Sequence, residues 1–365
     1  MTKPSTLLLL AVALLAGCSS TPKAPTPEQL AQIEAANLRT DADMSLVLDK
    51  LASLNPQPIE TLDVTTARVQ PTLADAAKAV LADQGVAGDA AGVQAYDRSV
   101  PGAAGQIPAT VYTPDGGGFK PVILYFHGGG WVLADRKVYD SSARALAKVA
   151  DAVVVSIDYR RAPEDRFPAA ADDGVAVYRW LTHYARAVGG DPKHLALAGE
   201  SAGGNLALAT AIAAHEQGLA APKHVLAIYP VTQTGSDTES YTKYAHAKPL
   251  NAAMMPWFFN QLLSDPGQKQ DPRLDVLHAN LQGLPPVTLI NAEVDPLRDD
   301  GALMETALKA AGVNVERRVY SGVTHEFFGL GSLVQKSAQA QAYAGERLTA
   351  DLHRAISDTP DTPAP

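Results

Sequence analysis

Two glycine-framed motifs and one late histidine hold the chemistry available to this sequence. Gly199-Glu200-Ser201-Ala202-Gly203 sets a serine between glycines, after the apolar run Leu195–Ala198 and before the Ala-rich stretch 202–217. A serine hydroxyl is a weak nucleophile until an adjacent base takes its proton. The pattern G-x-S-x-G supplies a strained strand-to-helix turn on which such a serine stands exposed. The helix that follows presents its amides and positive dipole end to developing negative charge. His127-Gly128-Gly129-Gly130 comes directly after a second apolar run that ends at Phe126. Acyl transfer needs backbone N–H groups aimed at a tetrahedral oxyanion. Glycines permit the necessary backbone angles and leave room for a substrate.

A base and an orienting carboxylate complete such a site, and with the nucleophile on an elbow the chain order is Ser, Asp or Glu, then His. Six histidines follow Ser201: His215, His224, His246, His278, His325 and His353. His215 falls inside the helix after the serine, His224 before a strand, and His246 and His278 in or beside an irregular segment. His353 falls in the closing helix. Only His325, in Gly322-Val323-Thr324-His325-Glu326-Phe327, sits in a loop after the last expected strand. The acid is expected after the run Val287–Asn291, and Asp295 is the choice. Glu293 is the weaker competitor, and Asp299 is expected to cap the next helix.

These residues need a scaffold, and the pattern from about residue 93 provides one. Val93–Arg98 and Ile107–Tyr112 read as paired edge strands around a Gly-rich turn. The solid apolar runs Val122–Phe126, Ala152–Ile157, Leu195–Ala198, Val225–Tyr229 and Val287–Asn291 read as strands buried on both faces of a mainly parallel sheet. Val313–Tyr320 is one more strand. Helical patterns separate them at about 139–150, 169–187, 202–217 and 299–311, and Val334–Ser357 closes the chain. Strand–helix alternation of this kind implies an α/β fold. Residues 235–280 break the rhythm with aromatic and Met residues and read as an inserted helical piece. Helical patterns at 28–55 and 71–84 precede the sheet.

Composition agrees and excludes alternatives. The chain has 365 residues, 46% apolar and 19% charged, enough for a sizeable core. Its formal net charge of −9, without a basic run, argues against nucleic acid as a partner. A single cysteine, Cys18, excludes an intrachain disulfide, a Cys-based zinc site and an iron–sulfur cluster.

Together, HGGG at 127–130, DYRRAPEDRFPAAADD at 158–173, GESAGG at 199–204, DPLRDD at 295–300 and the Thr-His-x-Phe segment at 324–327 resemble the hormone-sensitive-lipase group of α/β-hydrolases, also called bacterial family IV esterases. The resemblance spans about residues 70–330. It implies an α/β-hydrolase fold, with a mostly parallel eight-stranded sheet flanked by helices. A helical cap would come from the N-terminal helices (28–90) and from the insertion (235–280) within a catalytic domain at 91–357. Carried over, Ser201 is nucleophile, His325 base and Asp295 orienter. Gly129, Gly130 and Ala202 supply the oxyanion amides, and His127 and Gly128 support that loop. Asp158, Arg160 and Glu164 are expected to position loops near the site rather than to react. Many family members have Gly after the histidine, where this chain has Glu326, a carboxylate that either raises the imidazole pKa or faces solvent.

The implied activity is a serine carboxylesterase acting on short- to medium-chain esters through an acyl-enzyme, with no metal or organic cofactor. Amide hydrolysis or deacetylation of a polysaccharide would use the same triad. A non-catalytic binding protein on this fold is disfavoured, because every catalytic position is filled. Trp257, Phe258 and Phe259 are expected either in an acyl pocket or in the cap core. A homodimer through a crossed edge strand occurs in the family.

The N-terminus adds an address. Lys3, the ten-residue apolar run Leu7–Ala16 and small residues after it have the layout of an export signal, too short to span a bilayer. Leu15-Ala16-Gly17-Cys18 resembles a bacterial lipoprotein box. The implied product loses 1–17 and is lipidated at Cys18, with several acyl chains on one residue holding it to a lipid bilayer. Ser19 follows, where Asp would resemble an inner-membrane retention signal, so the outer membrane is the expected address in a Gram-negative source. Residues 18–27 read as a flexible tether and 358–365 as a disordered tail.

Overall fold

The computed structural model describes residues 31, 34–36, 38–86, 88 and 91–353. The leader, Cys18, the tether and the tail lie outside the described residues. The chain divides into two units, Met1–Ala36 and Asn37–Pro365. Of the first, only Ala31 and Glu34–Ala36 are described, and they are helical.

In the second unit, among the described residues, three α-helices precede the sheet, α1 (Ala42–Ser53), α2 (Val64–Ala67) and α3 (Leu73–Gln84), with a 3₁₀ turn at Ile59–Thr61. The helical pattern at 28–55 therefore materialises, within the described residues after Asn37, as α1 alone. The limits of α3 follow from its ends. Thr72 Oγ1 accepts from the Asp75 amide at 3.1 Å while Asp75 accepts from the Thr72 amide at 2.9 Å. Gly85 then leaves the helix at φ 65°. α1 and α3 pack on one another, and Lys50 pairs with Asp83 at 2.6 Å.

Among the described residues, eight strands form one sheet in the order β1-β2-β4-β3-β5-β6-β7-β8. They are β1 (Val93–Gly102), β2 (Gly105–Pro114), β3 (Lys120–Phe126), β4 (Val153–Ile157), β5 (Gly190–Glu200), β6 (Val225–Ile228), β7 (Val287–Val294) and β8 (Val315–Thr324). β1 pairs antiparallel with β2, and β2 with β4; the remaining pairings are parallel. α4 (Asp140–Val149), α5 (Ala169–Tyr184), α6 (Ala202–Glu216), α9 (Arg298–Ala310) and α10 (Gln335–Leu352) flank the sheet.

Period-2 alternation explains why the central strands are apolar throughout. Val122, Leu124 and Phe126 of β3 join one buried cluster, while Ile123 and Tyr125 join the cluster on the other face. In β5, Leu195 and Leu197 separate from Ala196 and Ala198 in the same way. Each fully buried Val, Leu, Ile or Phe contributes about 1.5–3 kcal/mol. α6 has no polar stripe because it lies at the centre, buried from Ala202 through Ala214. Small residues let it sit close to the sheet: a Cβ on Gly203 would stand 2.1 Å from the Phe126 carbonyl oxygen.

Between β6 and β7 the sheet is interrupted by a segment without strands. It is less helical than its composition suggests. Only α7 (Glu239–Lys243) and α8 (Met254–Leu262) are α-helices, followed by two 3₁₀ turns, Pro266–Gln270 and Val276–His278. Pro249, Pro266 and Pro272 interrupt any longer run.

Candidate active site

The functional side chains stand at the C-terminal ends of parallel strands, where open α/β sheets place their sites. The HGGG loop follows β3, the serine follows β5, Asp295 follows β7 and His325 follows β8.

Ser201 caps α6 with φ 59° and ψ −118°, a strained conformation for a residue with a side chain. The neighbouring glycines make the elbow possible, because a Cβ on Gly199 would fall 2.1 Å from the Gly203 carbonyl oxygen. Backbone bonds fix the turn: the Ser201 amide donates to Ile228 O at 2.9 Å, and Ser201 O accepts from Val231 at 3.2 Å.

His325 is buried, and its Nδ1 bonds Asp295 Oδ2 at 2.7 Å. Asp295 is fully buried and its other oxygen accepts the Leu297 amide at 2.8 Å, which holds the carboxylate in place. Burial opposes charge on His325, but Asp295, followed by Glu326 and Glu200, more than reverses it and raises the imidazole above its ordinary value. Ser201 and His325 line one cavity of about 210 Å³, together with Gly129, Gly130 and Phe258. No Ser201–His325 hydrogen bond forms among the described residues, and contacts of this kind commonly tighten only with substrate bound.

In the HGGG loop, Gly129 O accepts from Val132 and Leu133 at 3.1 and 2.8 Å. This tight turn holds Gly129 and Gly130 at φ 99° and 59°. Among the described residues, the amides of Gly129, Gly130 and Ala202 donate to no internal acceptor. His127 is wholly buried beneath them, stacked on Tyr159 at 4.3 Å, with Nδ1 bonded to Gly128 O at 2.7 Å. Burial depresses its pKa to about 4, so it stays neutral at ordinary pH. It does not line the cavity.

Glu293, the competitor for the acid, and Asp299, the expected cap, are both engaged elsewhere. Glu293 accepts the Gly322 amide at 2.9 Å. Asp299 does not cap the helix as expected. α9 begins earlier, at Arg298, because Asp295 itself makes the preceding turn through Leu297 and Arg298. Asp299 then sits in the first turn, where it accepts from Ser240 at 2.9 Å and pairs with Arg298 at 2.8 Å. His353 ends the closing helix, which stops at Leu352, rather than lying inside it.

The segment 158–173 braces the loops. Asp158 accepts the Arg136 amide at 2.8 Å and pairs with its guanidinium. Arg160 reaches fully buried Asp173 through Nε at 2.9 Å and Nη2 at 3.0 Å, and Asp173 also accepts from Ala103 in the β1–β2 turn. Glu164 receives Arg68 at 2.7 and 2.8 Å, while Arg68 also donates to Val132 O and Ala162 O. The aromatic trio divides. Phe258 lines the cavity, Phe259 packs toward Trp131 at 6.2 Å, and Trp257 donates to Leu62 O at 3.0 Å.

Sequence reasoning misses three tyrosines. Tyr125 and Tyr229 both donate to Glu200, and Tyr139 donates to Glu326 at 3.1 Å. The available signal is their position: Tyr125 and Tyr229 fall at strand C-terminal ends, and Tyr139 opens α4 behind the glycine loop.

Residues 123–329 match the family described as alpha/beta hydrolase fold. A carboxylic ester hydrolase of Mycobacterium tuberculosis, LipN, is 39% identical over 272 residues, 72% of each chain. The ethyl acetate hydrolase of Pseudomonas putida is 36% identical over 67% of this chain and 79% of its own. Among solved structures, an esterase of Pyrobaculum calidifontis matches with TM-score 0.75 and 35% identity, covering 82% of this chain and 97% of the other.

Proposed function

The chain belongs to the α/β-hydrolase family and is a carboxylic ester hydrolase, and from that premise we propose that it works as a serine esterase through Ser201, His325 and Asp295. The observation that carries this reading is the Asp295–His325 bond at 2.7 Å and a serine on a strained elbow, in one cavity with Gly129 and Gly130, whose amides, like that of Ala202, are unengaged among the described residues. His325 Nε2 takes the Ser201 proton as Oγ bonds to the ester carbonyl carbon. The oxyanion is held by the amides of Gly129, Gly130 and Ala202, with His127 and Gly128 supporting the loop. His325 protonates the leaving alcohol, then accepts a proton from the water that attacks the acyl carbon and returns it to Ser201 Oγ as the carbon–Oγ bond breaks and the acid leaves. The modest cavity and the relative named for ethyl acetate support short- to medium-chain esters as substrates.

Ser201→Ala tests the assignment. Hydrolysis of p-nitrophenyl butyrate should fall by about 10⁴-fold or more, and labelling by a fluorophosphonate should disappear. Turnover near that of the unmodified protein would overturn it.

A lipid anchor at Cys18 is a further part of the proposal. It is supported by the box Leu15-Ala16-Gly17-Cys18 after a ten-residue apolar run, and it puts the enzyme on the cell envelope, at the outer membrane in a Gram-negative source. A homodimer through the edge strand β8, where Val319 is exposed, completes it.

A further inference from the structure

Glu326 follows His325 with φ 64°, in the left-handed region where glycine would be unstrained. A charged residue kept there against steric cost invites a reason for its side chain. Glu326 Oε1 accepts the Tyr139 hydroxyl at 3.1 Å. That hydroxyl is pressed against the glycine loop, since a Cβ on Gly128 would stand 2.3 Å from it. This hydrogen bond and that close approach together link the histidine loop, through Tyr139, to the loop proposed to carry the oxyanion amides. Glu326 is also a shared wall. It lines the cavity of Ser201 and a second cavity of about 300 Å³, which it shares with Tyr139 and Glu200.

The groups facing His325 come from every neighbouring element. Asp295 comes from the turn after β7, Ser201 and Glu200 from the elbow, and Glu326 from its own loop. Tyr229, after β6, lies 4.6 Å away ring to ring; it donates to Glu200 and accepts the Phe328 amide at 3.4 Å. Around Glu326 itself stand His325, Tyr139, Asp295 and the like-charged Glu200.

We propose that Glu326 is a positioning residue for His325: latched by Tyr139, it fixes the imidazole's loop against the oxyanion loop and favours the imidazolium formed when Ser201 gives up its proton. Glu326 takes no proton in the cycle. The proton moves from Ser201 Oγ to His325 Nε2 as the Oγ–carbon bond forms, and on to the leaving alcohol. The inference rests on the triad reading. The direction of the His325 shift supports it, because Glu326 is the largest charge favouring the imidazolium after Asp295. Burial raises the Glu326 carboxyl, against the influence of His325 and Tyr139.

Glu326→Gln keeps an acceptor for Tyr139 and removes the charge. The acid limb of the kcat/KM profile for p-nitrophenyl butyrate should move measurably to lower pH, because the imidazolium loses a neighbouring negative charge. Tyr139→Phe keeps the charge and breaks the latch, so kcat should fall several-fold with KM and the acid limb in place. If Glu326→Gln folds poorly, Glu326→Gly, relaxed at this φ, should show the same shift. A folded Glu326 variant with the unmodified acid limb overturns the electrostatic role, and a Tyr139→Phe enzyme with full kcat overturns the latch. Retained activity in Ser201→Ala would instead strike the triad itself.

Discussion

Phe258 fills the space that a side chain on Gly130 would need: a Cβ there would stand 2.2 Å from the Phe258 ring. The insertion after β6 thus reaches the HGGG loop directly, and the absence of a side chain at one position is what lets the two meet.

Gly130→Ala should therefore damage catalysis in two ways. The residue sits at φ 59°, which alanine resists, and the methyl group drives Phe258 or the loop aside. A misdirected oxyanion amide costs about 10²–10³ in kcat. Adding Phe258→Ala should restore part of the loss by making room, while the backbone strain remains. The measurement is kcat and KM for the single and double variants; full activity in Gly130→Ala would show that this amide is not needed.

Asp295→Asn should lower kcat by about 10⁴-fold, because asparagine stabilises the wrong imidazole tautomer and no longer supports the imidazolium. Glu293→Gln should leave kcat near its original value, since that carboxylate faces the Gly322 amide. Steady-state kinetics on both variants decides the acid, and the reverse pattern would give the role to Glu293.

His127 should make the fold acid-sensitive. Its pKa is about 4 in the folded chain against an ordinary 6.5. Above pH 6.5 both states are neutral and the stability is complete. As pH falls from 6.5 toward 4, only the unfolded chain binds the proton, and about 3 kcal/mol is lost. His325 has the opposite sign, since its raised pKa contributes stability below 6.5 that disappears as pH rises through its folded value. Comparing the protein with His127→Gln isolates the first effect. Urea midpoints at pH 7.5 and 5 should converge in the variant, and an unchanged difference would rule the effect out.

Cys18→Ser should release the protein from the membrane fraction with esterase activity intact. Cell fractionation with an activity assay checks this. A variant that still sediments with membranes would sink the anchor and leave the triad untouched.

The strands and the glycine motifs are legible because each rests on local chemistry. Buried parallel strands such as Val122–Phe126 must be apolar on both faces, and an elbow must have glycines where backbones touch. Strand ends are less legible. β8 starts two residues later than Val313 and runs on through Gly322 to Thr324, since pairing with β7 resumes after an irregularity between Ala292 and Val294. The Glu200–Tyr125–Tyr229 and Glu326–Tyr139 contacts are illegible in one dimension, because residues up to 187 positions apart meet only in the fold. Asp299 misleads because Asp295, four residues earlier, already makes the turn that a cap would make.

α6 has consequences beyond placing Ser201. A helix buried from Ala202 to Ala214 has no frayed face through which it can open by itself. The proposed nucleophile is mounted on a helix buried on all sides, so amide exchange in α6 should require opening of the surrounding core. Heat inactivation of the nucleophile and global unfolding then become a single event, and residual turnover during a thermal ramp reports the fraction of molecules still folded.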